Sequence, residues 1–171
     1  HAARMNGAGA RYPWMVSYDG TEQCESWDIG CSEVHVTADV AYALGQYLDW
    51  TGDDRLFFQG GAQVLVETAR FWVSRYSPAP EAGKVNLLFC KGPDEYCGIT
   101  SNNLFTNAMV KHNLSLALTA AARLKKEAPE QYAALSGVRC LGDTTRCHPA
   151  SQGSNHRPLP PGRYVPPAGA R

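Results

Sequence analysis

The sequence has no excess of charge of either sign and no long apolar segment. Its 171 residues carry 16 basic and 16 acidic side chains, and this balance gives no indication of binding to nucleic acid or to an anionic membrane. No stretch approaches the roughly 20 apolar residues that a membrane-spanning helix needs. A charged segment followed by an apolar one, typical of a secretory signal, is also missing from the beginning. We therefore expect a cytoplasmic protein that has neither nucleic acid nor membrane as a partner.

The six cysteines lack the spacing of a metal site. They form three pairs with six residues between the members, namely Cys24/Cys31, Cys90/Cys97 and Cys140/Cys147. Zinc sites usually place two to four residues between neighbouring cysteines. Without a secretory signal, reduced thiols are expected rather than disulfides. The sequence therefore predicts no metal site.

Acidic and large apolar residues are scarce after residue 136. Residues 137–171 contain six of the eleven prolines, five arginines, no lysine and a single acid, Asp143. Such a segment cannot bury enough apolar surface to offset the entropy of ordering. We expect a disordered tail, separate from a unit over residues 1–136. Its origin is open between a frameshifted end of a longer gene and a natural linker.

The unit over residues 1–136 has the periodicity of helices. Thr37 is expected to cap a first helix, with Asp39 in its first turn and Gly52 at its end. A second helix follows and ends before Pro78, and the glycine pair 60–61 within it indicates either a close helix contact or a bend. Further helices are predicted over residues 104–126 and 129–136, and a short strand over residues 84–90. The predicted fold class is all-α.

Two acidic residues lie on a predicted turn between the strand and the third helix. The turn reads Gly92-Pro93-Asp94-Glu95-Tyr96, and the proline favours a loop there because it fixes its own φ and restricts the residue before it. An aromatic ring and nearby amides suit a polyhydroxylated ligand. A solvated acidic turn is the simpler interpretation of an Asp-Glu pair taken alone.

Four segments of the chain resemble glycoside hydrolase family 65 in the order in which that family has them. Residues 92–107, GPDEYCGITSNNLFTN, are similar to the segment that carries the family's catalytic acid. The other three are GARYPW at residues 9–14, DGTEQC at 19–24 and HVTADVAYA at 35–43. The resemblance covers about residues 1–135.

This resemblance implies an (α/α)6 barrel, of which the four predicted helices are only a sector. It implies an inverting α-glucoside phosphorylase with Glu95 as general acid, whose pKa is raised by partial burial beside groups such as Tyr96 and Phe89. The ligands would be an α-linked disaccharide or oligosaccharide and inorganic phosphate as co-substrate, with no cofactor. A homodimeric parent protein is an open possibility. The chain does not begin with Met, and we expect it to be a piece of a longer protein.

The resemblance also provides candidate substrate contacts, each with a structural alternative. They are Trp14, Glu22, His35, Asp39, Asp94, Tyr96, Asn102 and Asn103. The alternatives are a core tryptophan, an exposed acid, a histidine that orders the start of a helix, an acid at a helix dipole and amides that cap a helix. Three other functions stay open: an α-glucoside hydrolase of the same family, a carbohydrate-binding module, and an inactive truncated product.

Overall fold

A computed structural model of the chain describes residues 1–24, 26 and 28–137. This part is built mainly of helices, which confirms the predicted all-α class. The helices are α1 (Val36–Thr51), α2 (Asp54–Leu56), α3 (Ala62–Arg75), α4 (Leu104–Glu127) and α5 (Pro129–Ser136). Two-residue strands β1 (Ser77–Pro78) and β2 (Val85–Asn86) pair antiparallel. The predicted tail lies outside the described residues, apart from Gly137.

The first helix begins differently from the prediction. Thr37 does not cap it, because the helix already begins at Val36. The buried Thr37 hydroxyl instead accepts a hydrogen bond from the Tyr12 backbone N–H at 3.1 Å, which ties the N-terminal segment to α1. Asp39 lies in the first turn, and Gly52 ends the helix at a φ of 61°, both as predicted.

The predicted second helix is bent where the two glycines lie. Asp53 caps α2 by accepting from the Arg55 N–H. A π-helical turn over Phe57–Gly61 then joins α2 to α3, and Gly60 has a φ of 137° that only glycine adopts easily. α3 follows the bend and buries its apolar side in the core, where Phe71 and Trp72 are fully buried.

The predicted strand over residues 84–90 is shorter than expected. Only Val85 and Asn86 pair with β1, and Cys90 forms an isolated bridge with Thr100. Phe89, between them, has a φ of 52°, which interrupts the extended backbone. The segment is therefore a loop fixed at both ends.

Helices α1, α3 and α4 pack together around two apolar clusters. One cluster surrounds Phe71 and Trp72, and the other surrounds Phe57 and Leu65. α1 approaches α4 closely at Gly45, where a Cβ atom would lie 2.8 Å from a methyl carbon of Leu116. Other apolar residues on these two helices face solvent, including Tyr42, Tyr47, Trp50 and Leu118.

Candidate active site

The loop that contains Glu95 is closed by backbone hydrogen bonds. Cys90 and Thr100 exchange N–H···O bonds of 2.9 and 2.8 Å. Gly92 then passes so close to Asn103 that an added Cβ would lie 2.6 Å from its amide nitrogen. Asn103 caps α4 by accepting from the Thr106 N–H at 3.0 Å. The acid turn is therefore held against the start of α4.

The two adjacent acids of this turn have different surroundings. Asp94 accepts hydrogen bonds from the Cys97 thiol at 2.8 Å and from the Tyr96 N–H at 3.1 Å. These two hydrogen bonds, of which the one from the thiol has the larger effect, hold the pKa of Asp94 below its ordinary value. Glu95 begins a short 3-10 turn over Glu95–Cys97 and is exposed. Asp94 therefore shapes the turn, and Glu95 is presented to solvent.

The prediction that Tyr96 and Phe89 bury Glu95 is wrong for this chain. Both rings face solvent, with exposed fractions of 101% for Tyr96 and 68% for Phe89. The left-handed φ of Phe89 turns its side chain out of the core. Neither ring therefore buries Glu95, which is itself exposed.

Asn102 fixes the other side of the loop. Its side-chain oxygen accepts from the Leu87 N–H at 2.9 Å, and its amide donates to the Asn86 side chain at 2.9 Å. Its own N–H donates to the Leu87 carbonyl at 2.8 Å. The residue has a φ of 55°, a conformation that asparagine tolerates better than most residues. Asn103 thus caps the helix, as its structural alternative proposed, whereas Asn102 holds the loop through Leu87 and Asn86.

Glu22 supports the segment that carries Trp14. Its carboxylate accepts from the backbone N–H groups of Trp14, Met15 and Cys24 at 2.7, 2.9 and 3.1 Å. Burial opposes the ionised form, but these three donors outweigh it and lower the pKa of Glu22. The half-buried Trp14 ring meets the edge of His35 at a centroid distance of 6.2 Å.

His35 and Asp39 lie together at the beginning of α1. The His35 Nδ1 is 2.7 Å from the Asp39 carboxylate, and its Nε2 is 3.8 Å from the carboxylate of Glu33. The buried imidazole lies between Trp14 and Phe105, whose ring centroid is 5.7 Å away. Both ring nitrogens therefore face protein carboxylates, an arrangement that orders this corner of the fold.

These motifs and their arrangement agree with a known family. Residues 1–139 match the model of the glycosyl hydrolase family 65 central catalytic domain. The chain belongs to glycoside hydrolase family 65. It is 36% identical over 143 residues to an α,α-trehalose phosphorylase of Thermoanaerobacter brockii, covering 83% of this chain and 18% of that protein. A kojibiose phosphorylase of the same organism is 36% identical over 156 residues, with coverage of 82% and 20%.

The family 65 chain also matches a solved structure. A protein from the human microbiome named as a candidate kojibiose phosphorylase has a TM-score of 0.73 and 24% identity, with 81% of this chain and 20% of that chain covered. This match shows the fold: the chain is a sector of a larger helical barrel. It spans about a fifth of the length of the curated relatives that it matches.

Two charged residues near the acid turn of this family 65 chain are not among the predicted site residues. Glu33 is fully buried, and burial, followed by the charge of Glu95, raises its pKa. Lys91 is buried too. Its backbone N–H donates to the Ser32 carbonyl at 2.9 Å, which joins the acid turn to the segment before α1. Sequence alone gives little signal for either, because charged residues beside turns are usually solvated.

Away from the acid turn, the described part of this family 65 chain has a cavity but no cluster of metal ligands. No group of three or more His, Cys, Asp or Glu side chains there is arranged to hold a metal ion. None of its helices is long and apolar enough to cross a membrane. A cavity of about 560 Å³ lies beside the bend between α2 and α3, lined by residues such as Tyr12 and Gly60. It is separate from the acid turn.

Proposed function

We propose that this chain is the sector of an inverting α-glucoside phosphorylase that carries the general acid, Glu95. The reaction converts an α-linked disaccharide and inorganic phosphate into β-glucose 1-phosphate and a free sugar. The observation that carries the proposal is the division of roles in the acid turn. Asp94 is occupied by hydrogen bonds within the turn, whereas Glu95 is exposed on a loop fixed at both ends.

Cleavage of an α-glucoside needs an acid that protonates the leaving oxygen while positive charge develops on the sugar ring. Glu95 would supply that proton. Phosphate would attack the opposite face of the sugar, so that no second carboxylate has to act as base. The residues that bind phosphate would lie in the remainder of the protein. The names of the trehalose and kojibiose phosphorylases support this reaction at the family level.

The other site residues fall into two proposed groups. Trp14 and Tyr96 are the proposed sugar-contacting rings, because aromatic faces stack on pyranose rings and both are accessible. His35 and Asp39 would act as positioning residues that hold Trp14, because Asp39 contacts His35 and His35 contacts that ring. Glu22, Asp94, Asn102 and Asn103 would maintain the backbone around the substrate.

The second candidate is an α-glucoside hydrolase of the same family. An inverting hydrolase needs a second carboxylate about 6.5–9.5 Å from the acid to activate water. Asp94 is an unsuitable base because it is the direct neighbour of Glu95 and is bound to Cys97 and Tyr96. This favours the phosphorylase, although a base could be supplied by the remainder of the protein.

The products of the reaction distinguish the two candidates. We expect the full-length protein that contains this segment to form β-glucose 1-phosphate from at least one of maltose, trehalose, kojibiose or nigerose, and only when phosphate is added. Release of free glucose from both sugar units without phosphate would show a hydrolase instead. The 171-residue chain should form neither product, since about four fifths of the relatives' length has no counterpart in it.

A further inference from the structure

Glu33 is a buried acid that has no role in the proposed reaction so far. It lies two residues before His35 and is fully buried. Neither of its carboxylate oxygens has a hydrogen-bond partner. A buried carboxylate without donors is costly to ionise, and such groups usually keep their proton.

The charged groups around Glu33 act in opposite directions. The negative charges of Glu95 and Asp28 disfavour its ionised form, whereas His35 and Lys91 favour it. Burial is the largest influence and Glu95 the second, and together they raise the pKa of Glu33.

Both neighbouring basic side chains also lie beside other acids. The Lys91 ammonium lies 3.8 Å from Asp28, and the His35 Nδ1 lies 2.7 Å from Asp39. The His35 Nε2 lies 3.8 Å from the Glu33 carboxylate, which is beyond hydrogen-bond distance. Neither basic side chain therefore contacts Glu33 alone.

We propose that Glu33 is a positioning residue of the candidate active site, held as a neutral acid so that Glu95 can become a carboxylate without a second negative charge nearby. The hydrogen bond from the Lys91 backbone N–H to the Ser32 carbonyl joins the segment of Glu33 to the acid turn. This inference rests on the proposed role of Glu95 as general acid. When Glu95 passes its proton to the leaving oxygen, it acquires a negative charge that an ionised Glu33 would repel. A neutral Glu33 leaves that step unopposed.

The proton on Glu33 can be followed directly in the 171-residue chain. Carboxyl ¹³C signals are recorded against pH in the Trp50→Lys background, because the exposed Trp50 favours association. Glu33 is assigned by through-bond correlation to its own backbone. We expect Glu33 to titrate at higher pH than a free glutamate. Glu95→Gln should move its midpoint to lower pH and Lys91→Met to higher pH. A midpoint at or below that of free glutamate, or one unchanged by Glu95→Gln, would overturn the proposal.

Thermal unfolding provides a second readout. A raised pKa means that the folded state keeps a proton that the unfolded state releases, so stability falls as pH rises from the unfolded pKa through the folded pKa. Glu33→Gln cannot ionise, and it should be more stable than the wild type above this window and equal to it below. A variant destabilised most at high pH would show that Glu33 is needed as an ion. If the variant does not fold, the titration of Glu33 still decides.

These experiments need no turnover, which separates the two proposals. A Glu33 that titrates like a free glutamate removes its positioning role and leaves the phosphorylase proposal intact. A Glu33 that titrates as expected, in a full-length protein without phosphorolysis, removes the proposed function and leaves the neutral buried acid as a property of the fold.

Discussion

At the scale of single residues, acids that lie close together in this chain have different roles because they receive different hydrogen-bond donors. Glu22 receives three backbone N–H groups and is stabilised as an anion, whereas the oxygens of Glu33 receive no donor. Hydrogen bonds to the charged form lower a carboxyl pKa, and burial without them raises it. The pKa of each acid therefore depends more on its hydrogen-bond donors than on its position in the motif.

Glu22→Gln tests the structural role of that carboxylate. The amide of glutamine places a donor against backbone N–H groups, so we expect a loss of about 1–3 kcal/mol in the free energy of unfolding at neutral pH. Because the folded pKa of Glu22 is lowered, its contribution is present above the unfolded pKa and is lost as pH falls through the folded pKa. The difference between variant and wild type should therefore shrink in acid.

Thermal melts between pH 3 and pH 8 measure this effect. Glu81→Gln is the matched control, since Glu81 lies at the surface with 69% of its side chain exposed beside Lys84. A Glu22→Gln variant as stable as this control at neutral pH would show that the three bonds do not hold the Trp14 segment.

At the scale of elements, the sequence predicted the bounds of a helix where residues close in the chain determine its ends. α4 and α5 lie within a residue of their predicted bounds, and Gly52 ends α1 as expected. The strand before the acid turn is shorter than predicted, because Asn102, which is distant in sequence, forms hydrogen bonds with the Leu87 backbone. The role of Thr37 was missed for the same reason, since its partner is Tyr12, distant in sequence.

Gly92→Ala tests the contact between the acid turn and α4. The new methyl group would lie 2.6 Å from the Asn103 amide nitrogen, so either the cap or the turn must move. We expect a loss of about 1 kcal/mol in stability, the usual cost of a helix cap. In an active full-length protein, turnover should fall as well, because Glu95 moves with the turn.

Gly137→Ala is the matched control, since the nearest atom to its added methyl would lie 3.5 Å away. Urea denaturation of both variants measures the difference. Equal midpoints for Gly92→Ala and Gly137→Ala would show that the turn does not depend on close packing against Asn103.

At the scale of the whole molecule, this chain corresponds to about a fifth of each curated relative that it matches. We propose that elements outside this chain cover Glu95, Phe89 and Tyr96, which face solvent here. The family and the acid motif were predictable from ordered local segments. The surroundings of Glu95 were not, because burial depends on elements distant in sequence.

The exposed apolar residues on α1 and α4 predict self-association of the 171-residue chain. Trp50 is 83% exposed and Leu118 is 67% exposed, and exposed apolar surface of this kind drives association. We expect sedimentation velocity to show concentration-dependent oligomers at micromolar concentration. Trp50→Lys should shift the distribution towards monomer with an unchanged circular dichroism spectrum, whereas Lys125→Gln should not. A wild-type chain that stays monomeric throughout would contradict this.

The most direct test of the account is Glu95→Gln in the full-length protein, with Asp94→Asn as the neighbouring control. Glutamine keeps the shape of the side chain but removes the transferable proton. We expect kcat for the natural disaccharide to fall about 10²–10⁴-fold with KM little changed, and Asp94→Asn to be milder. Phosphorolysis of α-glucosyl fluoride should be partly spared, because fluoride leaves with less protonation. Near-normal turnover of the disaccharide by Glu95→Gln would contradict the assignment of Glu95 as the general acid.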